Sequence, residues 1–254
     1  MTSKNGALSA ALIGAAMLLS IPSAGWAAAT GEASLRASLL EGRPVPGVTI
    51  GVDHERLYRT VKPKGTRTRN LEVESNGVFV GVPLAPWLQA FGVGGYAQAK
   101  HMDEREDWGD GFFRGRIGLA AHLWHADVPA PEFMAGGVSF RAAIDYGYGK
   151  FDDDEDSGHW HEGSLTATMH YEILAEERPG RVSYPYSLDL YAGPVAQWIS
   201  GERDMEGATR SFDQAQVGGL AFGANLFLTP RLSLGAHMRL FDTFTWSAGL
   251  RLTF

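Results

Sequence analysis

The chain has no cysteine in its 254 residues. A disulfide-stapled extracellular scaffold and a thiolate metal centre are both excluded. Beyond the first thirty residues no stretch approaches about eighteen continuous apolar residues, which excludes membrane-spanning helices. Basic charge is not in excess: 22 Lys and Arg stand against 29 Asp and Glu, a formal net charge of −7, so a nucleic-acid partner is not expected. There is no internal repeat, no low-complexity linker and no second globular module, so one folded domain is expected.

What is present is glycine (32), aromatics (7 Trp, 8 Tyr, 13 Phe) and alternation. From Phe244 to Phe254 the apolar residues take every second position (Trp246, Ala248, Leu250, Leu252, Phe254), with Thr245, Ser247, Gly249, Arg251 and Thr253 between them. Val138, Phe140, Ala142, Ile144, Tyr146 and Tyr148 share one strand face in the same way. So do Leu165, Ala167, Met169, Tyr171 and Ile173, and then Leu188, Leu190, Ala192, Pro194, Ala196 and Trp198. Ten strands are predicted: 46–60, 69–84, 87–100, 111–125, 136–151, 162–175, 184–200, 213–228, 231–242 and 243–254. Eight is the alternative count, because the first two segments are charged and irregular. Residues 1–29 read as a cleaved secretory signal peptide, with Lys4, an apolar stretch from about Ala7 to Ile21, and small residues through Ala29. Residues 30–45 read as a flexible lead-in.

The end of the chain resembles the β-signal of bacterial outer-membrane proteins, with Ser247, Gly249, Leu252 and Phe254 matching it position by position. The pattern of the whole mature chain is similar to the small outer-membrane β-barrel superfamily. That resemblance implies an all-β fold, a transmembrane up-and-down antiparallel barrel over 46–254 in the outer membrane of a Gram-negative bacterium. It also implies recognition by the barrel-assembly machinery and periplasmic chaperones, and contact with outer-membrane lipid and lipopolysaccharide. Both chain ends are then periplasmic, and the outer connections are 61–68, 101–110, 152–161 and 201–212, with a tight turn near Asp242 and Thr243. Trp87, Trp124, Tyr186, Phe227 and Phe254 fall near the periplasmic ends of strands, and Phe113, Tyr148, Trp198, Phe244 and Trp246 near the outer ends, as two aromatic girdles would.

On the inward face the expected groups are Arg114, Arg116, Arg141, Asp145, His170, Glu172, Asp189, Arg239 and Arg251, with Asp53, Glu55, Glu72, Glu74, Lys100 and Arg231 also assigned there. Acid and base nearly balance, so in a narrow barrel a plugged polar lumen is expected. The function read from this is a surface structural or interaction protein acting through its outer loops. A narrow porin or small-solute transporter is the alternative, and an outer-membrane enzyme is a third class. Lys62, Lys64, Arg67 and Arg69 form a basic cluster suited to lipopolysaccharide phosphates. Asp152, Asp154, His159 and His161 form a weak metal candidate without characteristic spacing. No cofactor is expected. Omptin proteases use an Asp-x-Asp pair with an Asp-x-His pair; the chain has Asp152-x-Asp154 but no Asp-x-His. The His-x-Ser of lipid A deacylase barrels is absent too, so catalysis is not expected.

Overall fold

The computed structural model describes residues 47–63, 69–101, 111–128, 136–152, 156–174, 187–205, 208–229 and 231–254. The signal-peptide and lead-in segments, 1–29 and 30–45, lie outside these residues. The strands are β1 (Thr49–Pro63), β2 (Arg69–Ala85), β3 (Leu88–His101), β4 (Phe112–Val128), β5 (Gly136–Asp152), β6 (Asp156–Leu174), β7 (Ser187–Met205), β8 (Ala208–Gln214), β9 (Gly218–Phe227), β10 (Leu232–Leu240) and β11 (Phe244–Thr253). All pairings are antiparallel. β1 to β7 follow in sequence, then β9, β10 and β11, and β11 pairs back on β1 from Thr49↔Thr253 to Leu57↔Thr245. The fold is a closed, ten-stranded, up-and-down antiparallel barrel, the expected architecture with the larger of the two strand counts. Closure leaves no free sheet edge along the seam, and Thr49 and Thr253 hydroxyls meet across it at 3.0 Å.

Several expected boundaries are corrected. Segments 152–161 and 201–212, read as outer loops, are largely strand: β6 begins at Asp156, β7 continues to Met205, and β8 returns from Ala208. Their acidic content masked the alternation, which continues with Trp160 and Glu162 inward against His159 and His161 outward. The segment 213–228, read as one strand, is broken at 215–217 into β8 and β9. The break has a structural reason. The β10–β11 hairpin turns at 241–243, so β8 passes beyond it and pairs with β1 (Val61↔Gln214, Lys62↔Asp213, Pro63↔Phe212) while its other edge stays on β7. Ten strands make the wall near the chain termini; eight, β1 to β8, make it at the far end. The hairpin tip is locked beneath that crossing. Thr243 Oγ1 donates to the Tyr58 carbonyl at 2.6 Å, and the Arg59 guanidinium lies 4.0 Å from the Phe241 ring centroid.

Side-chain direction follows strand parity. Outward positions carry exposed Val78, Val80, Ile117, Leu119, Ile144, Leu165, Met169, Leu190 and Leu220. Exposed Trp87, Trp124 and Phe254 lie towards one rim, and Phe113, Tyr148, Trp198 and Phe244 towards the other. Phe227, expected in a girdle, instead points into the barrel and is buried, because its parity matches Asn225 and not Leu226. Glu72 and Glu74, expected inward, are on the outer wall. They alternate with inward Leu71 and Val73, a phase the charges had disguised. Arg231 is exposed just before β10.

The interior is not polar throughout, as had been expected. At the far end Leu57, Val61, Leu71, Val73, Ala97, Phe112, Trp160, Ile199 and Phe212 form a buried apolar cluster. Phe112 meets Trp160 edge-on at 5.1 Å. A Cβ on Gly149 would sit 2.5 Å from the Trp160 ring, so only glycine leaves room for it there. Truncating that indole, Trp160→Ala, is expected to cost about 3–5 kcal/mol of stability. Denaturant unfolding of the folded barrel in detergent measures this, and a cost under about 1 kcal/mol would show that the cluster is not a packed core.

Candidate functional site

Below the apolar cluster the lumen is crossed by charge. The strands that enter this layer change character along their inward faces: Phe112 gives way to Arg114 on β4, Trp160 to Glu162 on β6, and Leu57 to Glu55 on β1. Arg114 is the junction. Its Nε and Nη2 donate to Glu162 Oε1 and Oε2, each at 2.8 Å, and its Nη1 donates to Glu55 Oε1 at 2.7 Å and to Ser75 Oγ at 3.1 Å. One guanidinium thus spans β4, β6, β1 and β2 with its planar fork. Glu55 Oε2 is shared with Arg116 at 3.3 Å. Asp145 accepts a 2.5 Å bond from Ser164 Oγ, and among the described residues no arginine lies within salt-bridge distance of it.

Towards the termini a second layer is built around Asp53 and Asp189. Arg251 donates from both terminal nitrogens to Asp53, at 2.6 and 3.1 Å, while its guanidinium lies 3.6 Å from the Phe79 centroid. Phe79 in turn stacks on Phe91. Across the lumen, Asp189 accepts from Asn225 Nδ2 at 3.1 Å and meets Arg141 at 3.6 Å. His170 faces it at 3.1 and 3.2 Å through Nδ1, and its Nε2 lies 2.9 Å from the Thr168 hydroxyl. The tautomer that satisfies all three partners carries the proton on Nδ1, with Nε2 accepting from Thr168. The His170 ring stacks on Tyr191, which stacks on His237. His237 Nε2 accepts from Arg239 Nε at 3.0 Å, so its Nδ1–H donates to the Tyr191 hydroxyl at 2.9 Å.

The nine inward residues singled out from the sequence all point into the barrel, and six of them fall in two groups. Arg114, Arg116 and Asp145 belong with Glu55 and Glu162; Arg141, His170 and Asp189 cluster on β5 to β7. Glu172 is buried on β6, and Arg239 and Arg251 reach inward from β10 and β11. Sequence reasoning did not single out Glu162, which lay at the supposed loop edge, or Tyr191, Asn225 and Gln197, whose inward parity was the available signal. Thr168, His170 and Asp189 have the order of a nucleophile, base and acid. All three are buried. A small space beside the charged layer, lined by Asp53, Glu55, Ser75, Arg114 and Arg116 among others, has about 30 Å³, room for a water.

The remaining sequence candidates lie only in part within the described residues. His159 and His161 point outward and pack on Tyr148, and the Tyr146 hydroxyl meets His161 Nδ1 at 2.5 Å. Asp154 lies outside the described residues, as do Lys64 and Arg67, and the side chains of Asp152 and Arg69 are not described. Among the described residues no group of three His, Asp or Glu side chains is arranged to hold a metal ion. Lys62 is exposed on β1. At the end of the chain Ser247 and Gly249 face the lumen and Leu252 and Phe254 face outward.

No protein-family pattern matches the chain, and no curated protein matches it. Solved structures similar to it include the outer-membrane protease OmpT of Escherichia coli, at 12% identity and a TM-score of 0.38, covering 83% of this chain and 98% of that one. The transport unit of the Escherichia coli autotransporter AIDA-I is 10% identical, with a TM-score of 0.35 and coverage of 88% and 96%. The β domain of the Bordetella autotransporter BrkA is 13% identical, with a TM-score of 0.30 and coverage of 82% and 99%. At these values no residue role passes from those proteins to this one.

Removing the junction should be costly. Arg114→Met leaves Glu55 and Glu162 buried with lost counter-charge, and a destabilisation of about 3–5 kcal/mol is expected. Adding Glu162→Gln should recover part of it. A wild-type unfolding midpoint for the single variant, or strict additivity in the pair, would show that the three groups are not coupled.

Proposed function

We propose that the protein is an integral outer-membrane β-barrel with a sealed lumen, acting at the cell surface as a structural or interaction protein through its far-end strands and connections. The observation that carries this reading is the stack of two blockages in one lumen, the Arg114-centred ion pairs and the apolar cluster above them. Among the described residues below the far-end rim, the inward arginines (Arg59, Arg114, Arg116, Arg141, Arg239, Arg251) are interspersed with inward carboxylates (Asp53, Glu55, Asp145, Glu162, Glu172, Asp189), so no strip of one sign lines this part of the lumen. A selective pore would need one.

The membrane part of the reading rests on the outer wall. Ten residue steps separate outward Val138 from Tyr148 on β5, about 34 Å of strand, and a tilt near 40–45° reduces that to roughly 25 Å along the axis. That is the height of an outer-membrane apolar band, and exposed aromatics border it on both sides. The orientation follows from biogenesis: termini in the periplasm after removal of the signal peptide at 1–29, with Ser247, Gly249, Leu252 and Phe254 read by the assembly machinery. Lys62, Lys64, Arg67 and Arg69 would meet lipopolysaccharide phosphates beyond the band, where Lys62 is exposed.

Planar-bilayer recording tests the sealed lumen. The folded protein is expected to give no stable unitary conductance. Discrete, reproducible steps whose ion selectivity changes on neutralising Arg114 would establish the narrow-porin alternative instead.

A further inference from the structure

Two arginines inside the barrel have only neutral partners. Arg114 holds Glu162 and Glu55, Glu55 gives its second oxygen to Arg116, Arg251 holds Asp53, and Arg141 meets Asp189. Arg59 instead donates from Nη1 to the Tyr58 carbonyl at 2.6 Å and from Nη2 to Gln197 Oε1 at 2.7 Å. Arg239 donates from Nε to His237 Nε2 at 3.0 Å. Among the described residues no carboxylate lies within salt-bridge distance of either guanidinium. Both are nonetheless deep in the protein, Arg59 at 0% exposure and Arg239 at 2%. Arginine does not shed its proton in a protein, so two positive charges stand in a closed interior without a counter-charge of their own, which is costly.

The two charges are also neighbours. Arg239 is in register with Thr245 on β11, and Thr245 with Leu57 on β1. Arg59 is the next inward residue after Leu57, so three adjacent strands bring Arg239, Thr245 and Arg59 together under the β10–β11 hairpin tip. The Arg59 guanidinium lies 4.0 Å from the ring centroid of Phe241, two residues beyond Arg239. Of the charged groups around Arg59, Arg239 acts on it most strongly and repels it, and Glu55, Asp242 and Glu162 attract it more weakly. Each member of this group has an unused donor. Arg59 Nε, Arg239 Nη2 and the hydroxyl of Thr245, itself 2% exposed, are buried and make no hydrogen bond. Buried donors are rarely left so, and three of them on one side of the lumen point to a ligand that accepts.

We propose that Arg59, Arg239 and Thr245 form a binding site inside the barrel for a small inorganic anion, a halide such as chloride. One negative charge between the guanidiniums turns their repulsion into two attractions and accepts from all three unused donors. Water would take the hydrogen bonds and leave the like charges facing each other. Near-complete burial of the three side chains limits the occupant to a few atoms, which favours a halide over a carboxylate-bearing solute. Bound there, the ion ties β1 to the β10–β11 hairpin at the height where ten strands give way to eight. The site lies within the wall and does not depend on what the outer face or the connections meet.

The probe is bromide, set against gluconate, whose anion is too large for the site. Protein expressed as the full chain and folded in neutral detergent is unfolded by heat at fixed pH and ionic strength while bromide replaces gluconate. The wild-type midpoint, read by heat-modifiable gel mobility, is expected to rise with bromide and level off as the site fills. Arg239→Met removes one of the two charges and should abolish that rise. Thr245→Val keeps both charges and loses one donor, so it should need about tenfold more bromide for half the effect; it carries the comparison if Arg239→Met does not fold. A general salt effect moves wild type and variants alike, so parallel curves for all three would overturn the proposal. Crystals grown in sodium bromide and measured at the bromine absorption edge give the position. Anomalous density among Arg59, Arg239 and Thr245 is expected, and peaks on the outer surface alone, an adventitious ion only, would overturn it.

Discussion

The guanidinium of Arg114 is the constraint around which the interior is arranged. It sits inside a closed wall, where an uncompensated charge is far more costly than at a surface, and it meets that cost with two carboxylates and a hydroxyl from three other strands. Because Glu162 takes both of its parallel donors, the relative height of β4 and β6 is set by a fork with one good geometry. Glu55 then ties the opposite side of the seam, β1, to the same group and hands its second oxygen to Arg116. Gly147 belongs to the same arrangement. A Cβ there would lie 2.6 Å from Glu162 Oε1, so the small residue on β5 makes space for the carboxylate.

The change from charge to hydrocarbon above this layer follows from the change in strand number. Where β8 crosses over the β10–β11 hairpin to reach β1, the wall contracts from ten strands to eight, and the interior narrows with it. A narrower interior has less room for long charged side chains with all their partners, and large apolar groups can close-pack there as they do in a soluble protein. Arg59 stands at the boundary. It is fully buried, donates to Gln197 at 2.7 Å and lies over Phe241, the tip of the hairpin that ends the ten-stranded region. The far end is thus held as a core, and the near end as a polar network.

Much of the fold was legible in the sequence because a period of two survives any tertiary detail. The last strand, β5, β6 and β7 were each readable from which residues face together, while closure was expected from the resemblance at the end of the chain and the count was ten with eight as the alternative. Boundaries were less legible where polarity was high. An acidic outward face beyond the apolar band reads as a loop when only hydrophobicity is scored, although Trp160 and Glu162 keep pointing inward through it. Glu72 and Glu74 were assigned inward because charge was taken as a marker of the lumen. Their strand is one phase earlier, with Leu71 and Val73 inside, and Glu72 lies beneath Arg56 on the outer wall.

Parity determined which side chains share a face, since alternate residues of a strand have no other choice. It therefore grouped the apolar residues on one face and the arginines and carboxylates on the other, while the apolar face was assigned to the exterior from the resemblance at the end of the chain and the placement of the aromatics. Tertiary structure decided who meets whom: that Arg114 chooses Glu162 and Glu55, that His170 and His237 share Tyr191, and that Asp189 meets both Arg141 and Asn225. Those outcomes depend on the stagger between strands far apart in sequence. Register is set by the closure of the whole barrel, and no local pattern contains it.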